Sequence, residues 1–174
     1  MSRRQPDALS VSRRILRVLI KLNLLMGLLI LALLVASLLA ESAVMGALGA
    51  RPTSSNARLI VGMRVIMVLG ICAVPLAHVV LARLLAIVET VSLGDPFVRA
   101  NAARLQTIAW AVLGLELLHL AVGAAAASAS PGGQMLDLDW NFSLTRWLAV
   151  LLLFVLSRVF EQGARMRDDL EGTV

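Results

Sequence analysis

The sequence predicts an all-α integral membrane protein, a four-helix bundle with both termini cytoplasmic, and three observations lead to this prediction. Hydrophobic residues make up 59% of the 174 residues, and the mean hydropathy is +0.87, which is more apolar surface than a soluble domain of this size can bury. Four apolar runs approach or exceed the ~20 residues that cross a bilayer. Basic residues cluster at the edges of these runs, where such residues anchor helices at the membrane surface.

The four runs differ in how cleanly each predicts a span. The first two carry no charge, the third contains only Glu116, and the fourth is interrupted by Arg146, so that its uncharged remainder is short. The runs cover residues 22–40, 65–82, 105–136 and 140–157. With the flanking helical residues, the spans of this single membrane domain are expected at about residues 18–40, 59–82, 105–127 and 140–160.

The distribution of Lys and Arg predicts the orientation, because cytoplasmic segments carry the excess of these residues. Here they concentrate at the N-terminus, between the second and third runs, and in the C-terminal tail. These residues are Arg3, Arg4, Arg13, Arg14, Arg17, Lys21, Arg83, Arg99, Arg104, Arg158, Arg165 and Arg167. The others, Arg51, Arg58, Arg64 and Arg146, lie on or near the opposite side. We therefore expect both termini inside. An even number of spans agrees with this, because it places the two termini on the same side.

The predicted helices are longer than the membrane is thick. A helical pattern continues from residue 59 to about 93, where Gly94 is a natural stop; Asp95 then fits an N-cap and Pro96 the first position of the next helix. At about 1.5 Å per residue, such helices exceed the ~30 Å hydrocarbon core. The expected cytoplasmic parts are an N-terminal tail at 1–14, an inner hairpin tip at 83–104 and a C-terminal helix at 158–170.

The hairpin tip carries the most distinctive stretch of the chain. Residues 94–105 read G-D-P-F-V-R-A-N-A-A-R-L, which resembles the G-x-P-F-x-x-x-N-x-x-R-L signature of a bacterial family of unknown function. The V-F-E-Q-G stretch at 159–163 and the C-terminal end, where Gly172 replaces a more usual Leu before Thr173 and Val174, are similar to the same family. The resemblance extends from about Val91 to the C-terminus.

The resemblance implies a small four-span protein of the bacterial inner membrane. Genes of such proteins often lie beside a gene for a small Xre-like helix-turn-helix regulator. The resemblance therefore implies a membrane protein that captures, or signals to, a cytoplasmic DNA-binding partner.

The signature residues allow a structural and a functional interpretation. Gly94, Asp95 and Pro96 can simply break the chain between two helices, whereas Phe97, Asn101 and Arg104 recur at i, i+4 and i+7 on one helical face. That face can pack against the C-terminal helix or can dock a partner. The candidate docking residues are Gly94, Asp95, Pro96, Phe97, Asn101, Arg104 and Leu105.

Glu116 and His119 are the candidate intramembrane site. They lie three residues apart on one helix and share a face, and an ionised carboxylate near mid-membrane is costly unless it is paired. A structural pair inside the bundle, a proton or ion relay, and a metal site are the alternatives. The chain has one Glu-x-x-His motif, whereas carboxylate-bridged metal bundles use two with further Glu ligands, so no metal is predicted.

Three further polar residues fall within the apolar runs. His78 and His119 differ in predicted depth by about 12 Å at 1.5 Å per residue, too much for two ligands of one haem, and no cofactor is predicted. Arg64 and Arg146 lie a turn or two inside the outer boundary. They can extend to the outer headgroups or turn inward, where Glu116 is the acid deep enough to pair with them.

These observations predict a non-enzymatic, regulatory membrane protein that docks a cytoplasmic partner such as a helix-turn-helix regulator. No nucleophile–base pair or phosphate loop supports catalysis, and the Arg-rich N-terminus is expected to bind anionic lipid rather than nucleic acid. A small transporter or sensor that uses Glu116 and His119, and a structural subunit of a membrane complex, are the alternatives.

Overall fold

Four long helices make up the part of the chain that the computed structural model describes, which is residues 8–40, 43, 46, 57–94, 98–129 and 143–171. They are α1 (Ala8–Leu39), α2 (Ala57–Ser92), α3 (Arg99–Ala129) and α4 (Leu144–Glu171), and these residues include no strand. The expected all-α fold with four helices is confirmed.

Three of these helices are long and apolar enough to cross a membrane. Within the described residues they are α1, α2 and α3, over Leu9–Leu39, Arg58–Ser92 and Arg99–Ala129. Helix α4 is not among them, and its uncharged stretch, residues 147–157, lies between Arg146 and Arg158. The fourth span therefore stays a prediction, as does the orientation of the termini.

The helix ends near the hairpin tip agree with the expected stop. Helix α2 ends at Ser92, and Gly94 has φ +89°, a left-handed conformation that glycine adopts without a steric penalty and that commonly ends helices. The expected cap at Asp95 lies outside the described residues. Helix α3 begins at Arg99, three residues after the expected start at Pro96, because the non-helical Val98 precedes its first turn and accepts a hydrogen bond from the Asn101 N–H. Helix α4 continues to Glu171, which confirms the predicted extension beyond Arg158.

Contacts divide the chain into two compact units. We call the first the tip unit, because it contains the turn between α2 and α3; it comprises Met1–Asn23, Leu76–Gly114 and Ser143–Val174. The second unit comprises Leu24–Pro75 and Leu115–Phe142. In α2 the division falls directly after Pro75, a proline within the helix, where the missing N–H removes one backbone hydrogen bond.

Small residues on α3 allow close packing in the tip unit. Ala102, Leu105, Ile108 and Ala109 are buried, and Ala109 has no exposed surface. Alanine side chains let helices approach closely without creating voids. The tip unit is therefore organised around this face of α3.

Glycine contacts bring helices together in the second unit. A Cβ on Gly62 of α2 would collide with the Cβ of Ala129 on α3, and a Cβ on Gly27 of α1 would lie 2.9 Å from methyl carbons of Val74 on α2. Both positions require glycine because the neighbouring helix occupies the space of a side chain.

Candidate functional site

Three polar side chains join α2 to α3 beside the hairpin tip, and we call them the hairpin clamp: Thr90, Asn101 and Arg104. Arg104 donates from Nη1 to Asn101 Oδ1 at 2.8 Å and to the carbonyl of Ala86 at 3.2 Å. The Thr90 hydroxyl lies 3.0 Å from the same Asn101 oxygen. Asn101 is fully buried. Its carboxamide oxygen therefore accepts from Arg104 beside the Thr90 hydroxyl, in a place that water does not reach. That hydroxyl also lies 2.8 Å from the Ile87 carbonyl of its own helix.

The clamp forms because α2 and α3 run antiparallel away from the tip. Thr90 and Asn101 lie nearly equally far along the chain from the turn, as do Ala86 and Arg104. The i, i+3 spacing of Asn101 and Arg104 places both on one side of α3, and the long Arg side chain reaches back across to α2. A buried amide with hydrogen-bond partners fixes the pairing of two helices, because any slip leaves it unpaired.

The structure places the predicted docking residues as follows. Asn101 and Leu105 are buried and Arg104 is half-buried, whereas Gly94 is exposed. The hydrogen bonds described above connect Asn101 and Arg104 with α2 and not with the C-terminal helix. Asp95, Pro96 and Phe97 lie outside the described residues. A docking role of these residues stays a prediction, and Asn101 and Arg104 would serve it by holding the hairpin in shape.

The start of α1 also contacts the end of α2. Arg13 donates to the Ser92 hydroxyl at 2.9 Å, and Arg17 lies 3.9 Å from the Glu89 carboxylate. The side chains of Arg17 and Glu89 are 61% and 48% exposed, and exposed ion pairs contribute little to stability, about 0–1 kcal/mol. The contacts orient α1 against α2 in the tip unit more than they stabilise it.

A cleft lies between α3 and α4 in the tip unit, and we call it the α3–α4 cleft. Its polar part encloses about 160 Å³ and is lined by Ala102, Ala103, Gln106, Ser157, Arg158 and Glu161. An adjoining part of about 330 Å³ shares Gln106, Ser157 and Arg158 and is otherwise lined by Trp110, Phe154 and Val155. The cleft is therefore polar near the start of α3 and towards the end of α4, and aromatic farther from these two ends.

An aromatic contact sets the register of α3 against α4. The rings of Trp110 and Phe154 meet edge to face, with their centroids 5.2 Å apart and their planes at 84°, a geometry that aromatic pairs favour. Trp110 nevertheless remains 60% exposed. Its outer face is available to lipid or to a partner.

Three charged residues on α4 form an ion-pair group beside the cleft. Glu161 accepts from Arg165 at 2.6 Å and from Arg158 at 3.1 Å. The hydrogen bond from Arg165, followed by that from Arg158, holds the pKa of Glu161 below its ordinary value of 4.5. Glu161 thus stays ionised at neutral pH, and the group keeps one net positive charge.

Glu116 and His119 lie in the second unit, on α3. Both are half-buried, and the Nε2 atom of His119 is buried without a hydrogen bond among the described residues. In the tip unit, the Nδ1 atom of His78 is buried in the same way. Within the described part of the chain, no group of three or more His, Cys, Asp or Glu side chains could hold a metal ion.

Arg64 has a specific contact with the end of α1. It donates to the carbonyl of Ser37 at 2.7 Å and to the Ser37 hydroxyl at 3.2 Å, and Ser37 is fully buried. A cation suits this place, since the last carbonyls of a helix lack helical partners and carry partial negative charge. Arg146 is half-buried near the start of α4.

Comparison with known proteins gives one family. A family model described as "Protein of unknown function (DUF2975)" matches residues 40–174. The chain belongs to this family. The matched part of this DUF2975 chain begins directly after α1 and includes α2, α3 and α4, so it reaches farther towards the N-terminus than the resemblance, which begins near Val91. No curated protein and no solved structure matches the chain.

The expected membership in an uncharacterised family is thus confirmed, and the DUF2975 chain also contains site residues that sequence reasoning missed. Thr90 carried no motif signal, although a threonine one turn before a predicted helix end is a frequent donor to neighbouring groups. Gln106 and Ser157 line the cleft because of the α3–α4 register, which the sequence pattern does not specify. No sequence pattern marks Ser37, because its contact with Arg64 arises from the packing of α1 against α2.

Proposed function

We propose that this DUF2975 protein is a non-enzymatic, four-span protein of the bacterial inner membrane whose cytoplasmic end docks a soluble regulatory protein. A helix-turn-helix transcription regulator is the partner that the family resemblance favours. The observation that carries the proposal is the composition of the tip unit, which combines the hairpin end, the first residues of α1 and all of α4.

The distribution of basic residues supports four membrane crossings. Arg and Lys concentrate near the start of α1 and near the end of α4. If these two ends lie on the same side and α1, α2 and α3 cross the membrane, α4 must cross as well to return the chain to that side. The positive ends of these helices support a cytoplasmic location.

Helix length supports a structured part outside the bilayer. Helix α2 has 36 residues and α4 has 28, which correspond to about 54 Å and about 42 Å at 1.5 Å per residue. The hydrocarbon core takes only ~30 Å of each. The helix length beyond the hydrocarbon core suffices for two or more helical turns in the cytoplasm. The hairpin clamp holds α2 against α3 in that part.

The α3–α4 cleft is the surface best suited to a partner. Its polar part lies at the ends of the expected spans 105–127 and 140–160 and offers the Gln106 amide and the Arg158 guanidinium. Arg side chains are common in protein interfaces. An acidic or polar segment of a partner would complement this part of the cleft, whereas Trp110 lies farther into the expected span. Such a partner would bind at the end of the molecule that the clamp stiffens.

Co-purification tests the proposal with a matched control. The probe is a small helix-turn-helix regulator, which the family resemblance leads us to expect from a neighbouring gene. The variants are Gln106→Ala with Arg158→Gln in the cleft and Arg83→Gln on α2. Wild type and Arg83→Gln should retain the regulator, and the cleft variant should retain at least tenfold less. Equal retention by all three, or no retention by wild type, would contradict the proposal.

One observation favours a second candidate, a small transporter or sensor. The Nε2 atom of His119 is buried without a hydrogen bond among the described residues, one turn from Glu116, and titratable groups inside membrane proteins often serve ion or proton pathways. Proton or cation flux into proteoliposomes tests it. Flux that is abolished in Glu116→Gln would support this candidate, whereas no flux, or equal flux in wild type and variant, would exclude it.

A further inference from the structure

The α3–α4 cleft changes from polar to aromatic along the two helices that form it. Gln106 and Arg158 line its polar part, and Trp110 and Phe154 line the adjoining part. Trp110 follows Gln106 by four residues and Phe154 precedes Arg158 by four, which is about 6 Å along each helix. On both walls, the aromatic rings therefore lie one helical turn farther from the hairpin end than the polar groups.

The expected spans place this change of polarity at the inner surface of the membrane. This step rests on the membrane placement proposed above, in which α3 enters the bilayer near residue 105 and α4 leaves it near residue 160. Gln106 and Arg158 then lie at the depth of the lipid headgroups, and Trp110 lies at the interfacial depth where Trp is enriched in membrane proteins. A molecule that fills both parts of the cleft needs a polar end and an apolar end at these depths.

The charges of the polar part define the headgroup that fits. Arg158 and Glu161 both line it, with Nη1 and Oε2 3.1 Å apart, and their side chains are 75% and 37% exposed. Arg165 binds the other oxygen of Glu161 and lies outside the described lining. Arg165 and Arg158 hold the pKa of Glu161 below its ordinary value, so the carboxylate is ionised at neutral pH. The lining thus presents one cation and one anion side by side.

We propose that the α3–α4 cleft binds a phosphatidylethanolamine lipid of the inner leaflet. The phosphate accepts hydrogen bonds from the Arg158 guanidinium, which has five N–H donors and spends one on Glu161, and from the Gln106 amide. The ammonium group donates to the Glu161 carboxylate, and such charge-assisted hydrogen bonds are the stronger ones. One acyl chain lies against Trp110 and Phe154.

Other common headgroups satisfy only half of this arrangement. The choline group of phosphatidylcholine carries methyl groups in place of the ammonium protons and cannot donate to Glu161. Phosphatidylglycerol has no cation, so its phosphate lies beside the Glu161 carboxylate with no positive group of its own to offset the repulsion. The site therefore selects a headgroup that combines an anion with a hydrogen-bonding cation.

The lipid and the docked partner proposed above use the same guanidinium. A partner segment that binds Arg158 displaces the phosphate, so the lipid raises the concentration of partner that docking requires. The lipid also contacts the aromatic part of the cleft, which lies within the expected spans and away from a soluble partner. Lipid binding therefore has a contact that docking does not share.

Quenching of Trp110 fluorescence by brominated lipids tests the site. In a Trp140→Phe, Trp147→Phe background, Trp110 is the single tryptophan. The protein is reconstituted into phosphatidylcholine bilayers with a fixed fraction of phosphatidylethanolamine, phosphatidylcholine or phosphatidylglycerol that carries bromine in its acyl chains. We expect phosphatidylethanolamine to bind beside Trp110 at least threefold more tightly than either other lipid. A reporter with Trp147 alone, eleven residues before Arg158, should show no preference.

Two variants on α4 separate the headgroup contact from an effect on folding. Glu161→Gln removes the anion and should reduce binding of phosphatidylethanolamine to the level of phosphatidylcholine, while quenching by phosphatidylcholine stays unchanged. Arg165→Gln leaves both charged lining residues in place and should keep the preference.

Four results would overturn the proposal. They are equal binding of the three lipids to wild type, tighter binding of phosphatidylglycerol, a preference that survives Glu161→Gln, and a preference of equal size at Trp147. None of these measurements needs a regulatory partner, so failure of docking would leave their outcome unaffected.

Discussion

Asn101 and Arg104 are bound side chain to side chain, with Arg104 Nη1 2.8 Å from Asn101 Oδ1. Arg104 also reaches the Ala86 carbonyl on α2, so one turn of α3 is tied to the neighbouring helix. Both residues lie in the stretch 94–105 that contains the hairpin tip. Their contacts give these two polar positions a structural role, which is to hold the hairpin in shape.

Removing the buried amide should loosen the hairpin. Asn101→Ala removes the buried amide oxygen that is the shortest described acceptor of the half-buried Arg104 guanidinium, a loss of about 1–3 kcal/mol. Thermal unfolding of the purified protein in detergent should show a Tm several degrees lower. Gln106→Ala, at an exposed position of the same helix, serves as the control and should leave Tm unchanged. Equal Tm values for wild type and Asn101→Ala would contradict the clamp.

Gly62 should tolerate no side chain. The Cβ of Gly62→Ala would collide with Ala129 on α3, whereas at Gly70 the nearest atom, Ile30 Cδ1, is 3.7 Å from an added Cβ. Overpacking of this kind costs about 1–3 kcal/mol, so the Tm of Gly62→Ala should fall and that of Gly70→Ala should not. Ala129→Gly should restore part of the loss. A Gly62→Ala protein as stable as Gly70→Ala would refute the close approach of the two helices.

The carboxyl group of Glu161 should titrate below pH 4.5. Because Arg165 and Arg158 lower its pKa, the stabilisation of the end of α4 is complete above 4.5 and is lost as the pH falls through the lowered pKa. Carbon-13 NMR of labelled glutamate, assigned with Glu161→Gln, reads the midpoint directly. Arg165→Gln should raise the midpoint more than Arg158→Gln, since Arg165 makes the shorter hydrogen bond. A wild-type midpoint at or above 4.5 would contradict the ion-pair group.

Features that depend on a single helix could be predicted from the sequence. The length of α2, its stop near Gly94 and the extension of α4 follow from apolar periodicity and from one conformationally permissive residue. The shared face of Asn101 and Arg104 follows from their spacing. These predictions need no knowledge of neighbouring helices.

Features that depend on register between helices could not be predicted. The side of α3 with Asn101 is bordered by alanines, so its pattern does not reveal whether that face turns towards α2, α4 or solvent. Thr90 becomes part of the clamp, and Ser37 binds Arg64, through the antiparallel alignment of helices far apart in sequence. Apolar periodicity is also a weak guide to orientation here, because a lipid-facing surface is as apolar as a buried one.

The orientation of the tip unit is the central claim, since docking of a cytoplasmic partner depends on it. In a Cys72→Ser background, single cysteines at Gly94 and Met166 in the tip unit and at Ala57 near the start of α2 can be treated with a membrane-impermeant maleimide in intact spheroplasts. We predict labelling of Ala57→Cys in intact cells, and of Gly94→Cys and Met166→Cys only after the membrane is permeabilised. Labelling of Gly94→Cys or Met166→Cys in intact spheroplasts would contradict the account.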